Sequence, residues 1–332
     1  MKRLLVRRGA VGLTLGALAA TGLASVPTLA HAAIVNADVY AWSGLGDDGS
    51  DPTCVANVSS NTTPDLPWSD NGVAVTATES DSGTLTAPGE STALSASAVT
   101  TVSSTPVAGG PATIKFATTM NASAVPSKEG TVCEGYASVE GEAQGDFTLA
   151  QPMWATMTWT TGGKGASGSG YVELDLPDGV IRVNMPVRTS GSMTALLPAG
   201  LIEMDLYGET DAYAADPQNR TASFTSSVNI ELQPMGAATA PTGKGGGYTQ
   251  FGARDCATGN VAAAITKKAK KKAKQVVITV NGAKVAKFKG KKLKKRALVL
   301  PAAPASAAEV VATIKLKNGK KVTVTRSYLA CS

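Results

Sequence analysis

Charge divides this chain of 332 residues into two unlike parts. Residues 33–252 hold 23 Asp and Glu against 7 Lys and Arg, a net of −16. Residues 253–332 hold 20 basic side chains against 2 acidic ones, a net of +18. This asymmetry predicts two units of opposite charge, the second one attractive to polyanions. The span 233–252 between them reads as a linker, with Pro234, Pro241 and the run Gly245-Gly246-Gly247. A hydrophobic share of 43% is enough for packed cores and excludes disorder throughout.

The opening Met-Lys-Arg-Leu-Leu-Val-Arg-Arg is basic, and residues from 9 to about 26 are small, apolar and uncharged. Ala30-His31-Ala32 then places small residues where a signal peptidase reads, so 1–32 is expected to be a secretory signal peptide cut after Ala32. The apolar run falls short of the ~20 residues a spanning helix needs, and no later run is long enough either. His31 is the only histidine and leaves with the leader. A mature chain without histidine excludes Ser-His-Asp and Cys-His catalysis and any His-ligated metal.

The cysteines are Cys54, Cys133, Cys256 and Cys331. In an exported chain four cysteines read as two disulfides, with three pairings open. Pairing Cys54 with Cys133 and Cys256 with Cys331 keeps each bond inside one charge unit, and that pairing is expected. Each bond closes a loop of about 80 residues, worth roughly 4.5 kcal/mol as an upper figure in the chain-entropy account. No C-x-x-C spacing supports zinc, and no metal or other cofactor is implied.

Residues 33–232 are punctuated by Gly, Pro, Asn and Asp, and the runs between alternate at period two. The run 113–120 puts Ile114 and Phe116 on one face. In 152–160, Met153, Ala155, Met157 and Trp159 oppose Trp154, Thr156 and Thr158. In 180–187, Ile181, Val183, Met185 and Val187 point inward. In 201–207, Ile202, Met204 and Leu206 point inward against Glu203, Asp205 and Tyr207. In 222–232, Phe224, Val228, Ile230 and Leu232 share one face. Many short alternating strands predict an all-β fold, here a jelly-roll-like β-sandwich.

Glu203-Met204-Asp205-Leu206-Tyr207-Gly208-Glu209 resembles, at a distance, the E-x-D-x-E strand motif of laminarinase-type glycoside hydrolases. That resemblance implies two glutamates flanking a scissile bond. Here Tyr207 holds the fifth position and the second glutamate comes two residues late. Glu203 and Glu209 then stand roughly 20 Å apart along an extended strand, against about 5–5.5 Å for a retaining carboxyl pair. Asp47-Asp48-Gly49-Ser50-Asp51 lacks the terminal Glu and alternating ligands of an EF-hand loop and reads as a surface turn. Of the tryptophans Trp42, Trp68, Trp154 and Trp159, Trp159 has inward parity and Trp154 the opposite.

Residues 253–332 give cleaner strand signals. Two hairpins are expected, 276–280 with 283–288 across Asn281-Gly282, and 310–316 with 321–328 across Asn318-Gly319, both as type I′ turns. Strand 297–300 and a turn over 301–304 lie between them. This predicts a small immunoglobulin-like β-sandwich. Val-Asn-Gly-Ala-Lys-Val-Ala (280–286), Lys-Asn-Gly-Lys-Lys-Val-Thr-Val-Thr-Arg-Ser-Tyr (317–328) and the closing Cys331 resemble the small bacterial Ig-like domains that end many actinobacterial secreted proteins. The resemblance implies a fold and an extracellular setting, without an activity.

Two basic clusters stand out here: Lys267, Lys268, Lys270, Lys271, Lys272 and Lys274, then Lys289, Lys291, Lys292, Lys294, Lys295 and Arg296. Both flank strands and read as loops or strand ends. They form the candidate anion-binding surface. Nucleic acid is disfavoured, because only Phe288 and Tyr328 would offer stacking rings near them. The expected partner is an anionic cell-envelope polymer or polysaccharide, with the chain's own acidic half as another candidate. The expected function is a secreted, non-catalytic envelope-associated binding or structural protein. The alternative is a jelly-roll polysaccharide hydrolase or carbohydrate-binding protein using Glu203 and Asp205.

Overall fold

The structure, a computed structural model, describes residues 34–47, 51–59, 64–107, 110–165 and 167–332. The expected signal segment 1–32 and the centre of the acidic turn, 48–50, lie outside the described residues. Antiparallel sheets account for nearly all the regular structure, as the period-two runs predict.

The acidic half begins with β1 (Val35–Asp47), β2 (Val55–Val58), β3 (Leu66–Pro67), β4 (Val75–Ala87), β5 (Glu90–Ser104) and β6 (Ala112–Pro126). It continues with β7 (Gly135–Leu149), β8 (Met153–Lys164), β9 (Ser169–Leu176) and β10 (Gly179–Asn184). It ends with β11 (Ser190–Leu197), β12 (Gly200–Tyr213) and β13 (Thr221–Pro234). One sheet runs β10-β9-β12-β7-β1-β3 and the other β11-β8-β13-β6-β5-β4-β2. From β6 onward the chain crosses repeatedly between them, which is what a jelly-roll does. The inward sets read from the runs are buried: Phe116, Met157, Ile202, Leu206, Phe224 and Ile230 lie in the core. Each such side chain contributes roughly 1.5–3 kcal/mol of burial.

The same interior carries a polar seam that the alternation does not announce. Ser43 donates to Asp81 at 2.5 Å, and the hydroxyls of Thr100 and Thr118 lie 3.1 Å apart, all four residues buried. Gly141 of β7 sits against this seam, where a methyl group would fall 2.1 Å from Thr100 Oγ1. Glycine there lets β7 approach the opposite sheet.

The basic half holds β14 (Thr249–Arg254), β15 (Val261–Ile265), α1 (Lys267–Lys272), β16 (Ala273–Val280) and β17 (Ala283–Lys289). Then come β18 (Arg296–Leu300), β19 (Ala308–Leu316) and β20 (Lys321–Tyr328). Its sheets run β14-β15-β18 and β17-β16-β19-β20, the immunoglobulin order A-B-E against C′-C-F-G. A second hydrophobic cluster, from Tyr248 to Tyr328, is separate from the first. Both disulfides form as expected, Cys54–Cys133 and Cys256–Cys331.

Three local details differ from the sequence reading. Asn281 and Gly282 both have positive φ, 49° and 78°, as a type I′ turn requires. In the second hairpin Gly319 has φ 86° but Asn318 is not left-handed, and Gly319 N–H donates to Leu316 O. That turn is a three-residue loop closed by a left-handed glycine, so the type I′ expectation is corrected there. The first lysine cluster is not a loop. Thr266 caps it by accepting from Ala269 N–H, Ala269 is buried, and lysine is a good helix former, so 267–272 forms α1. The proline- and glycine-rich span 233–252 runs along the last strand: Ala238 bridges Tyr328, Thr242 bridges Thr325, and Gly245 N–H donates to Thr323 O.

Candidate functional site

The basic half gathers cations on one sheet face. In β17-β16-β19-β20 the register sets Lys289 opposite Gln275, Gln275 opposite Lys315 and Lys315 opposite Lys321. Lys317 N–H donates to Lys272 O at 2.9 Å, which ties the loop after β19 to the end of α1. The result is a cleft of about 620 Å³ lined by Lys270, Lys274, Lys289, Lys315 and Lys317, with Ala273, Gln275 and Gly290. No acidic residue is among those that line it. Directly opposed like charges such as Lys315 and Lys321 destabilise a sheet unless an anion lies between them.

Of the eleven predicted cations whose side chains are described, Lys270, Lys274 and Lys289 line this cleft. Lys267, Lys268, Lys271, Lys272, Lys292, Lys294 and Lys295 are exposed around it. Lys268 lies 5.1 Å from the Tyr248 ring centroid and Arg296 the same distance from that of Phe288. Lys291 belongs to the turn after β17, and nothing of its side chain is described. Lys315, Lys317 and Lys321 fell outside the two sequence clusters. The β-hairpin register brings them in, and only the position of Asn318-Gly319 hinted at it.

Arg254 contributes to the +18 but not to the surface. It is 7% exposed and donates to the carbonyls of Gly259, Leu329 and Ala303 at 3.1, 2.6 and 2.6 Å.

The acidic half concentrates its charge on the outer face of β10-β9-β12-β7-β1-β3. One cross-strand row reads Asn184, Tyr171, Tyr207, Glu142, Tyr40. The row on one side reads Ser169, Glu209, Glu140, Trp42, and on the other Arg182, Glu173, Asp205, Gln144, Asp38. Glu203 lies between Asp175 and Asp146 in the next row. Arg182 is the single cation in these strands; it pairs with Glu173 at 2.8 Å and covers the Tyr171 ring at 3.9 Å. Tyr171 and Tyr207 stack with centroids 5.1 Å apart. Tyr171 donates to Asp205 at 2.7 Å, Tyr207 to Glu209 at 3.1 Å, and Tyr40 to Glu142.

Crowding sets the protonation of this face. Burial pushes the Glu142 carboxyl up to about 7, opposed by the Tyr40 hydroxyl and reinforced by Asp205, Asp38 and Glu140. Burial also raises Asp205 and Glu140, the latter further through Glu209 and Asp211. Asp205 Oδ1 is buried with no hydrogen-bond partner. Two hollows adjoin here, about 670 Å³ around Tyr40, Glu142, Tyr171 and Tyr207, and about 570 Å³ around Asp38, Asp146, Glu203 and Asp205.

The strand β12 runs unbroken past Gly208, so Glu203 and Glu209 stay far apart in one line, as their spacing predicts. The carboxylates beside Glu209 and Tyr207 come instead from β7, as Glu140 and Glu142. Sequence reading missed them because the inward positions of β7 include Gly135, Ala137, Gly141, Ala143 and Gly145, too small to register as an apolar alternation. Of the tryptophans, Trp68 is buried and donates to Asp38 O and Gln144 O, while Trp42 lies outward on the acidic face. Among the described residues no group of acidic side chains is arranged to hold a metal ion. A further hollow of about 570 Å³, lined by Phe251, Ala263 and Val324 among others, has no charged group in its lining.

No family model and no curated protein matches the chain. Among solved structures, a β-glucuronidase of an uncultured Clostridium species aligns at 12% identity over 55% of this chain and 34% of that one, with a TM-score of 0.15. The chain thus spans about a third of the length of that enzyme, and so low a score carries no argument about fold or activity.

Proposed function

We propose that the protein is an exported, non-catalytic binding protein, held to an anionic cell-envelope polymer through the lysine cleft of its C-terminal sandwich. The observation that carries this reading is the cross-strand row Lys289, Gln275, Lys315, Lys321, opening on a cleft whose charged residues are all lysine. Lysine ammonium groups spaced along a sheet suit a repeating phosphate or carboxylate polymer, held as point charges rather than by shape. Two disulfides suit an oxidising compartment, and the basic leader expected over 1–32 would deliver the chain there. Among the described residues no helix is long and apolar enough to cross a membrane.

The test is cosedimentation of the full chain with poly(glycerol phosphate) and with purified envelope material. Binding should weaken steeply between about 50 mM and 1 M salt. The double variant Lys289→Glu, Lys315→Glu should lose most of it, while substitutions on the acidic face leave it unchanged. Retention that ignores both salt and the double variant would overturn the reading.

A further inference from the structure

The acidic face does more than carry charge. Its aromatic rings are laid across the sheet by glycines. Trp42 and Gly44 share the outer face of β1, and a methyl group at Gly44 would fall 2.5 Å from Trp42 Cη2. Tyr136 of β7 stands opposite Gly46, where a methyl group would fall 2.6 Å from Tyr136 Cε1. A side chain at either position would prop the ring off the sheet. With glycine beneath, each ring rests on backbone and turns its other side outward; Trp42 is 38% exposed.

We propose that this face binds a glycan whose amino groups are free, with Trp42 and Tyr136 as platforms for its sugar rings and the interleaved carboxylates as partners for its ammonium and hydroxyl groups. A ring lying on a sheet offers a wide apolar surface to the C–H side of a sugar, and two χ angles cost little to order. The surroundings select the charge of the ligand. Glu140 and Glu209 stand directly opposite each other, Glu203 opposite both Asp146 and Asp175, and Arg182 is already engaged by Glu173. Opposed like charges are destabilising, and ammonium groups placed among them relieve that repulsion. An anionic glycan would be repelled, and an acetylated one would lose this term. The platforms also favour a chain over a single sugar. From Trp42 to Gly46, level with Tyr136, is four residues of extended strand, roughly 13 Å. The ion pairs of the described residues leave the competition of the chain's own lysines for this face to the self-association arm of the test.

The experiment is a titration of the full chain with a deacetylated chitosan oligomer, its fully acetylated counterpart, polygalacturonate and spermine. Saturable binding should be strongest for the deacetylated oligomer and absent for polygalacturonate. Trp42→Ala and Tyr136→Ala should each weaken it about tenfold, and Trp42→Phe should restore most of the loss, which separates a platform from a folding defect. Lys289→Glu with Lys315→Glu should leave it unchanged, so this inference and the envelope-attachment reading fail independently. Four results would overturn it: no saturable binding; equal affinity for the acetylated oligomer; spermine binding as tightly with no effect of Trp42→Ala; or salt-sensitive self-association that the oligomer does not displace.

Discussion

The indole Nε1 of Trp154, on β8 of the acidic half, donates to the carbonyl of Ala330, two residues from the end of the chain, at 2.9 Å. A side chain with outward parity in one sandwich thus finds its partner in the other. Close by, Gly236 N–H donates to the same carbonyl at 3.1 Å. The halves of opposite charge therefore meet through an aromatic and backbone junction at Ala330. Trp154→Phe removes one hydrogen bond of about 1 kcal/mol. Small-angle scattering should then show a more extended average; an identical profile would show the junction to be held elsewhere.

Arg254 gives a sharper test of the C-terminal sandwich. Its three bonds to carbonyls of three separate loops cannot be reproduced by lysine, whose ammonium lacks the planar fork. Arg254→Lys should lower stability by about 2–3 kcal/mol, measured by urea unfolding, with the midpoint of the acidic half unchanged.

Glu142 should make stability depend on pH. Its folded carboxyl titrates at about 7, above its ordinary range, so the folded state holds a proton that the unfolded chain releases. Stability on this account is full below the ordinary carboxylate range and declines as pH rises toward 7. Glu142→Gln keeps an acceptor for Tyr40 and removes that decline. Because the group is only partly buried, the gain at pH 8 should be about 1–2 kcal/mol. Parallel pH profiles for variant and parent would refute the assignment.

The two disulfides span 79 and 75 residues and should stabilise their own halves separately. Replacing Cys256 and Cys331 with serine should cost the C-terminal sandwich up to about 4 kcal/mol while leaving the other nearly intact. Replacing Cys54 and Cys133 should do the reverse, as followed by hydrogen exchange in each half.

The legible parts of this fold are those where large side chains mark the inward face. β12 and β13 are readable because Ile202, Leu206, Phe224 and Ile230 alternate with polar residues, and β16–β17 because Asn281-Gly282 dictates the turn. What escaped is written in small residues. β7 carries Glu140 and Glu142 outward, but its inward glycines and alanines exist to let the sheets approach, and a hydrophobic pattern cannot report a close approach. β4 and β5 are hidden similarly by Thr, Ser and Ala, some of which form the polar seam with Asp81. The span 233–252 has linker composition, yet its backbone pairs with β20, because proline and glycine report turns without reporting which strand lies alongside. The lysine clusters were visible as charge; that Lys289 joins Lys315 while Arg254 turns inward depends on register and burial.

The last residues of the chain concentrate more than their share of the architecture. Ala330 accepts from Trp154 and Gly236, Leu329 accepts from Arg254, and Cys331 closes the second disulfide. Deleting residues 329–332 would remove the staple, one arm of the arginine clamp and the junction in a single event. The Cys256–Cys331 bond ties this segment to the body of its sandwich, so reducing that one bond would loosen all three attachments together.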